Sequence, residues 1–223
     1  ADAAPATAAG TLQSHVSYLR RAFGDRSAIV ARSMGYALEL GDDETDVQTA
    51  QRLVEECATS GEPSQRLARL QAAVALWRGP ALADLGGLPW FEDQARRLDL
   101  LLVQAQRALA ENRLAVGQHD HAVPVLESLC RDHPLDEGLH ELLMLALYRA
   151  RRQVEALAVY RSLRCRLDEE LGVRPGPAMR RLEAAILRQD ADLDGPLATP
   201  VPMAGPAPGS GAARATLPRE ERV

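Results

Sequence analysis

Lysine is absent from the 223-residue chain, so all 26 of its positive charges are arginines. The two side chains differ in hydration and hydrogen-bonding geometry, and a complete swap fits no single site, so it reads as GC-rich coding bias. Aromatic residues make up only 4%, while Ala and Leu dominate; that excludes an aromatic-rich β-sandwich and favours helices. The three cysteines, Cys57, Cys130 and Cys165, are too few and too scattered for a disulfide framework or a zinc cluster. Their apolar, helical-looking neighbours predict reduced, buried thiols in a cytoplasmic protein. No apolar run approaches the roughly 18 residues of a membrane span, and no signal peptide opens the chain, so no membrane partner is predicted. No nucleophile stands with a base in a recognisable motif, so no enzyme is predicted.

What is present is a repeat. Leu139–Leu171 reads as two amphipathic helices joined by a short polar turn. Leu139, Leu142, Leu143, Ala146 and Leu147 share one face of the first, and Ala156, Val159, Tyr160 and Leu163 one face of the second. Sliding back 34 residues places Ala122, Val125, Leu126 and Leu129 on Ala156, Val159, Tyr160 and Leu163. Spacing and period are those of tetratricopeptide repeats, in which each hairpin has an apolar face it cannot cover alone. Upstream, Val47, Ala50, Leu53, Val54 and Cys57 form one stripe and Leu67, Leu70, Ala73, Val74 and Trp77 the next, around a turn at Ser60–Pro63. A Gly/Pro-rich loop, Arg78–Pro89, leads to a long helix over Trp90–Val116 with Leu98, Leu101, Leu102, Ala105 and Leu109 inward. Pro177 opens a last helix, Ala178–Leu187, which caps the stack.

Two clusters invite a metal reading and carry little of it. His119-Asp120-His121 with His133 reads as an interhelical turn whose side chains do not share a helical face. Asp190-Ala191-Asp192-Leu193-Asp194-Gly195 copies the opening of a calcium loop, but its twelfth position is Val201 instead of Glu. No metal and no cofactor are predicted. Residues 190–223, dominated by Pro, Ala and Gly, read as a disordered tail.

The charge is asymmetric within a net −5. Residues 11–36 carry four arginines against Asp25, and residues 41–56 carry six carboxylates against Arg52. After an irregular leader, 1–10, a helix begins near Thr11, with Leu12, Val16, Leu19 and Phe23 as a narrow apolar stripe. Ser14, Ser17, Tyr18 and Arg21 lie on its far side, Gln13 and Arg20 on one flank, and Gly24 ends it. Two β-prone runs, Ile29–Val30 and Tyr36–Leu40, flank a turn at Arg32–Gly35 and predict a hairpin.

A helix with small polar and Arg residues outward, followed by a basic-tipped hairpin, resembles the second half of an OmpR/PhoB-type winged helix. The resemblance implies that Gln13, His15 and Tyr18 meet base edges while Thr11, Ser14, Ser17, Arg20 and Arg21 meet phosphates. Arg32, at the wing tip, reaches the adjacent minor groove. His15, at the stripe's margin, is placed either to read a base or to pack against the family's upstream sheet and helices. Ten Ala-rich residues cannot supply that upstream half, so the chain is expected to be a fragment or to start too far downstream. A helix plus hairpin alone has little to bury its stripe against.

Trp77-Arg78-Gly79-Pro80-Ala81-Leu82, His133-Pro134-Leu135, Leu147-Tyr148-Arg149, Gln153-Val154-Glu155-Ala156-Leu157 and Glu169-Glu170-Leu171-Gly172 through Pro177 carry a further resemblance. Over about 46–189 they resemble the bacterial transcriptional activator domain of antibiotic-regulatory (SARP) proteins. That implies a regulator that binds double-stranded promoter DNA at tandem direct repeats and recruits RNA polymerase, the helical domain serving a homodimer or the polymerase contact. Three departures stand out: Arg151 for the usual Gly in a turn expected then to avoid positive φ, Ala37 for a wing Arg, and Arg174 for an acidic residue. Longer relatives carry an ATPase module, but no G-x-x-x-x-G-K sequence occurs here.

The sequence thus predicts a mainly α protein: 11–40 the C-terminal half of a winged helix, 41–189 a tetratricopeptide-like activator domain, flanked by a leader and a tail. The competing reading is a protein-interaction module without DNA binding.

Overall fold

The computed structural model describes residues 8–24, 27–39, 45–59, 61–85, 87 and 89–195. The charged residues Asp25, Asp42, Asp43 and Glu44 and the tail from 196 onward lie outside these. The described chain begins with a helix, α1 (Ala8–Ala22), and an antiparallel pair, β1 (Ile29–Arg32) with β2 (Gly35–Leu38). Helices follow: α2 (Asp46–Thr59), α3 (Pro63–Ala75), α4 (Pro89–Ala115), α5 (His119–Asp132), α6 (Glu137–Arg149), α7 (Gln153–Leu171) and α8 (Pro177–Arg188). Each of α2 to α7 packs on its successor, and α8 closes against α6 and α7. This is the stack of helical hairpins that the 34-residue period predicts.

The repeat seam is the core. Ala122, Leu126 and Leu129 on α5, and Ala156, Tyr160 and Leu163 on α7, are each at most 4% exposed. Leu139, Leu143, Ala146 and Leu147 of α6 fill the space between them. The two alanines sit at equivalent positions with no exposure at all, so neighbouring helices meet there with no room for a longer side chain. A second, smaller cluster joins Cys57 of α2, Leu67 and Leu70 of α3 and Leu109 of α4.

Local chemistry fixes the helix ends. Thr45 caps α2: its Oγ1 accepts from the Gln48 amide at 3.1 Å and is itself oriented by donating to Gln48 Oε1 at 2.6 Å. Asp136 caps α6 by accepting from the Leu139 amide at 3.1 Å. The turns from α4 to α5 and from α6 to α7 are copies of one another. In the first, the Gln118 amide donates to Arg113 O and that of Gly117, at φ +79, to Leu114 O. In the second, 34 residues on, Arg152 N reaches Leu147 O, Arg151 N reaches Tyr148 O, and Arg151 sits at φ +63. Both are Schellman turns, which need a left-handed residue at that position. Arg151 therefore adopts positive φ instead of avoiding it, because two backbone hydrogen bonds hold the turn.

Other expectations are corrected. Helix α1 starts at Ala8, inside the leader read as irregular, since alanine favours helix and Ser14 Oγ donates to Gly10 O at 3.0 Å. His119, Asp120 and His121 form the first turn of α5 instead of an interhelical turn. Residues 190–195, assigned to a disordered tail, fold back: Asp190 opens a 3-10 turn over Ala191–Leu193, and Arg149 Nε donates to Leu193 O at 2.8 Å. Leu193 finds the core there, an apolar contact that composition averaged over the tail conceals. Cys57 and Cys130 are buried as read, but Cys165 is exposed.

Three outcomes follow from this packing. Arg151→Gly relieves the left-handed strain and stabilises the protein by about 1 kcal/mol in denaturant unfolding. Ala156→Leu, by overfilling the seam, destabilises by about 1–3 kcal/mol in the same measurement. Burial pushes the Cys130 thiol up to about 12, with Asp136 and Glu127 adding to it, and burial likewise raises Cys57; in native protein near neutral pH, iodoacetamide therefore alkylates Cys165 rapidly and the other two only after unfolding, as peptide mass mapping will show.

Candidate nucleic-acid interface

The narrow stripe of α1 orients the helix. Val16 is its one residue driven below a tenth exposure, at 6%, and Ala28 and Ile29, at the start of the hairpin, are buried too, at 8% and 6%. Leu12, Leu19 and Phe23 stay about half exposed, and Tyr36 and Leu38 on the hairpin are open as well. Half of an apolar core is thus laid out along one side of helix and hairpin, while the polar residues occupy the other side.

Thr11, Gln13, Ser14, His15, Ser17, Tyr18 and Arg21 are all exposed on α1. On the helical wheel Ser14, Tyr18 and Arg21 lie opposite Val16, with Ser17 to one side of them, about 100° from Val16. Gln13 stands on the flank towards Arg20, and His15 on the margin nearest the stripe. Tyr18 protrudes most among the aromatics of this segment, at 67% exposure.

Arg20 does something the sequence did not disclose. Its Nε donates to Ile29 O at 3.0 Å and its Nη2 donates to the same oxygen, while the guanidinium lies 6.0 Å from the Tyr36 ring centroid. The charge is thus tied to the strand that follows, and Arg20 straps the hairpin to the helix. Its place beside the stripe on the wheel, not on the far side, is the signal that could have revealed this. Arg21, one residue later, points outward.

In the hairpin, Ile29 pairs with Leu38, Val30 with Ala37, Ala31 with Tyr36 and Arg32 with Gly35. The tip is therefore Ser33–Met34, with Met34 99% exposed, and Arg32 closes the ladder just before it. Its guanidinium pairs with Glu39, an exposed contact worth little in energy that still offsets part of the charge. The described residues of this segment carry Arg20, Arg21 and Arg32 against Glu39.

The helical stack is indented by cavities, two of which bear on function. One, of about 570 Å³, lies between α2, the end of α3 and the 78–85 loop, beside Trp77, Leu82 and Leu98, with Arg78 paired to Asp46 at 3.7 Å. The other, of about 520 Å³, lies where α7 turns into α8. Among the described residues no group of three or more His, Cys, Asp or Glu is placed to hold a metal ion, and no helix is long and apolar enough to cross a membrane.

Comparison with known proteins places this arrangement. The chain is 39% identical over 201 residues to the regulatory protein AfsR of Streptomyces griseus, covering 89% of this chain and 20% of that one. It is 36% identical over 203 residues to the transcriptional regulator RedD of Streptomyces coelicolor, covering 87% of this chain and 58% of RedD. The solved structure of Mycobacterium tuberculosis EmbR, in complex with a low-affinity phosphopeptide, superposes with a TM-score of 0.72 at 33% identity, over 88% of this chain and 52% of that one. The chain thus spans from about a fifth to somewhat over half the length of these relatives. Residues 43–187, all of the hairpin stack but the end of α8, match the bacterial transcriptional activator domain, and the chain belongs to that family, that of the SARP transcriptional regulators.

Proposed function

We propose that the chain is the DNA-reading and activating part of a promoter-binding regulator, with 11–40 contacting DNA and 41–189 contacting protein. The observation that carries this is the two-sidedness of α1: Ser14, Ser17, Tyr18 and Arg21 are exposed on the far side from the stripe of Leu12, Val16, Leu19 and Phe23, and Arg20 straps the hairpin beside the helix. A 15-residue helix, about 22 Å long, fits the major groove, which admits a single helix. Gln13, His15 and Tyr18 then meet base edges, Arg21 with Thr11, Ser14 and Ser17 meets phosphates, and Arg32 reaches the minor groove beside the wing. Arg20 positions the hairpin with two of its five N–H donors, on Ile29 O, and turns the others to a phosphate. The helical stack serves RNA polymerase or a second copy of the chain.

A second reading, a peptide-binding helical module without DNA binding, is favoured by the half-open stripe Leu12, Leu19 and Phe23, which leaves α1 lightly anchored. Titrating a promoter duplex into the full-length protein that contains this chain separates the two. On the DNA reading, Arg21→Ala weakens binding to all sequences alike and lowers the salt slope by about one. Gln13→Ala costs about 1–3 kcal/mol on the cognate site and relaxes its specificity. Absence of any sequence-specific complex in the full-length protein would leave the interaction module as the better reading.

A further inference from the structure

The turn from α7 into α8 borders the half-open cavity of about 520 Å³, with Arg164, Cys165 and Asp168 on one wall, Arg174 in the turn and Arg180 in the first turn of α8. Arg164 and Asp168 are one helical turn apart and so share a face of α7. The three arginines are exposed, and none has an ion pair or a guanidinium hydrogen bond among the described residues. That separates them from Arg52 and Arg107, each paired with a glutamate on its own helix, and from Arg152, which precedes α7 and pairs with Glu155 in its first turn. Asp168 is the carboxylate of the cavity lining and does not reach ion-pair distance, while Glu183, one turn along α8 from Arg180, lies outside that lining.

Within the lining, three guanidiniums against one carboxylate make a surplus of two positive charges in a chain whose net charge is −5. A ligand that matches them carries two negative charges and several acceptor oxygens, because guanidinium forks bind oxyanions through paired N–H donors. A phosphate monoester, close to doubly charged near neutral pH, meets both conditions. A single carboxylate leaves one charge over, and duplex DNA offers singly charged diesters on a convex rod that does not enter a concave cavity.

We propose that this cavity is a binding site for a phosphate monoester dianion, held by Arg164, Arg174 and Arg180. The phosphate comes either from a small phosphorylated molecule or from a phosphorylated side chain of a protein.

Cys165, in the wall, is the reporter. Its alkylation by uncharged iodoacetamide is followed in the intact chain at constant ionic strength, with O-phosphoserine as one probe and a phosphoserine peptide as the other. The expected result is saturable protection, weakened about tenfold or more by Arg174→Gln, the loss of a charge-assisted hydrogen bond. Asp168→Asn, which removes the opposing carboxylate, tightens it. A melting temperature unchanged from wild type confirms that each variant is folded. Protection by the peptide at a much lower concentration assigns the phosphate to a protein side chain, and equal protection by the free amino acid assigns it to a small molecule. No saturable protection by either probe, protection unaltered in Arg174→Gln, or equal protection by succinate or duplex DNA would overturn the proposal.

Discussion

A helical hairpin buries one face and leaves the other apolar, and everything from α2 onward follows from covering that second face. The close seam at Ala122 and Ala156 lets α5, α6 and α7 approach one another, and Leu126, Leu129, Tyr160 and Leu163 fill the space that the alanines open. Burial of this kind is worth about 25 cal/mol per Å² of apolar surface, so the seam has to continue from hairpin to hairpin and then be closed off. Met179 and Ile186 of α8 close it, both without exposure. The turn before α8 is fixed in its own way: the Gly176 amide donates to Glu137 Oε2 at 2.6 Å, which ties the start of α8 to the start of α6. A side chain at 176 would crowd that carboxylate, with Glu137 oxygen 3.1 Å from an added Cβ.

The segment before the stack obeys a different balance. Its apolar side is only partly covered, and Val16, Ala28 and Ile29 are too few to hold helix and hairpin together by burial alone. Arg20 supplies a polar tie in its place, with two donors on one carbonyl and a ring beside it. Polar residues are thereby set out along α1 on the side away from the contact. The arrangement suits a surface whose partner is charged and hydrated, and DNA is such a partner.

How much of this was legible depends on whether side chains or backbone carried the information. The 34-residue period is a pattern of side-chain volumes, and the stack matches it residue by residue from Ala122 to Leu163. The turn at Arg151 is a backbone event: its two hydrogen bonds impose a left-handed residue whatever the side chain, and an arginine there hides what Gly117 shows openly in the other copy. Cys165 was taken as buried because its neighbours are apolar, yet Leu163 and Leu167, on either side of it, take the inward positions and turn it out. Arg20 was read by charge, whereas its neighbour across the hairpin, Ile29 O, is a backbone atom with no signature in the sequence. The fold at 190–195 escaped notice for a similar reason, because a single Leu193 and one arginine from α6 outweigh the composition around them.

The account stands or falls on where the outer face of α1 goes. The most direct measurement attaches a photo-cross-linker at Ser17→Cys, in the full-length protein with its other cysteines replaced, on promoter DNA. The account predicts cross-links to the DNA at the margin of the major groove, at discrete positions of the site. Cross-links to protein alone, with the DNA left unmodified, would contradict it.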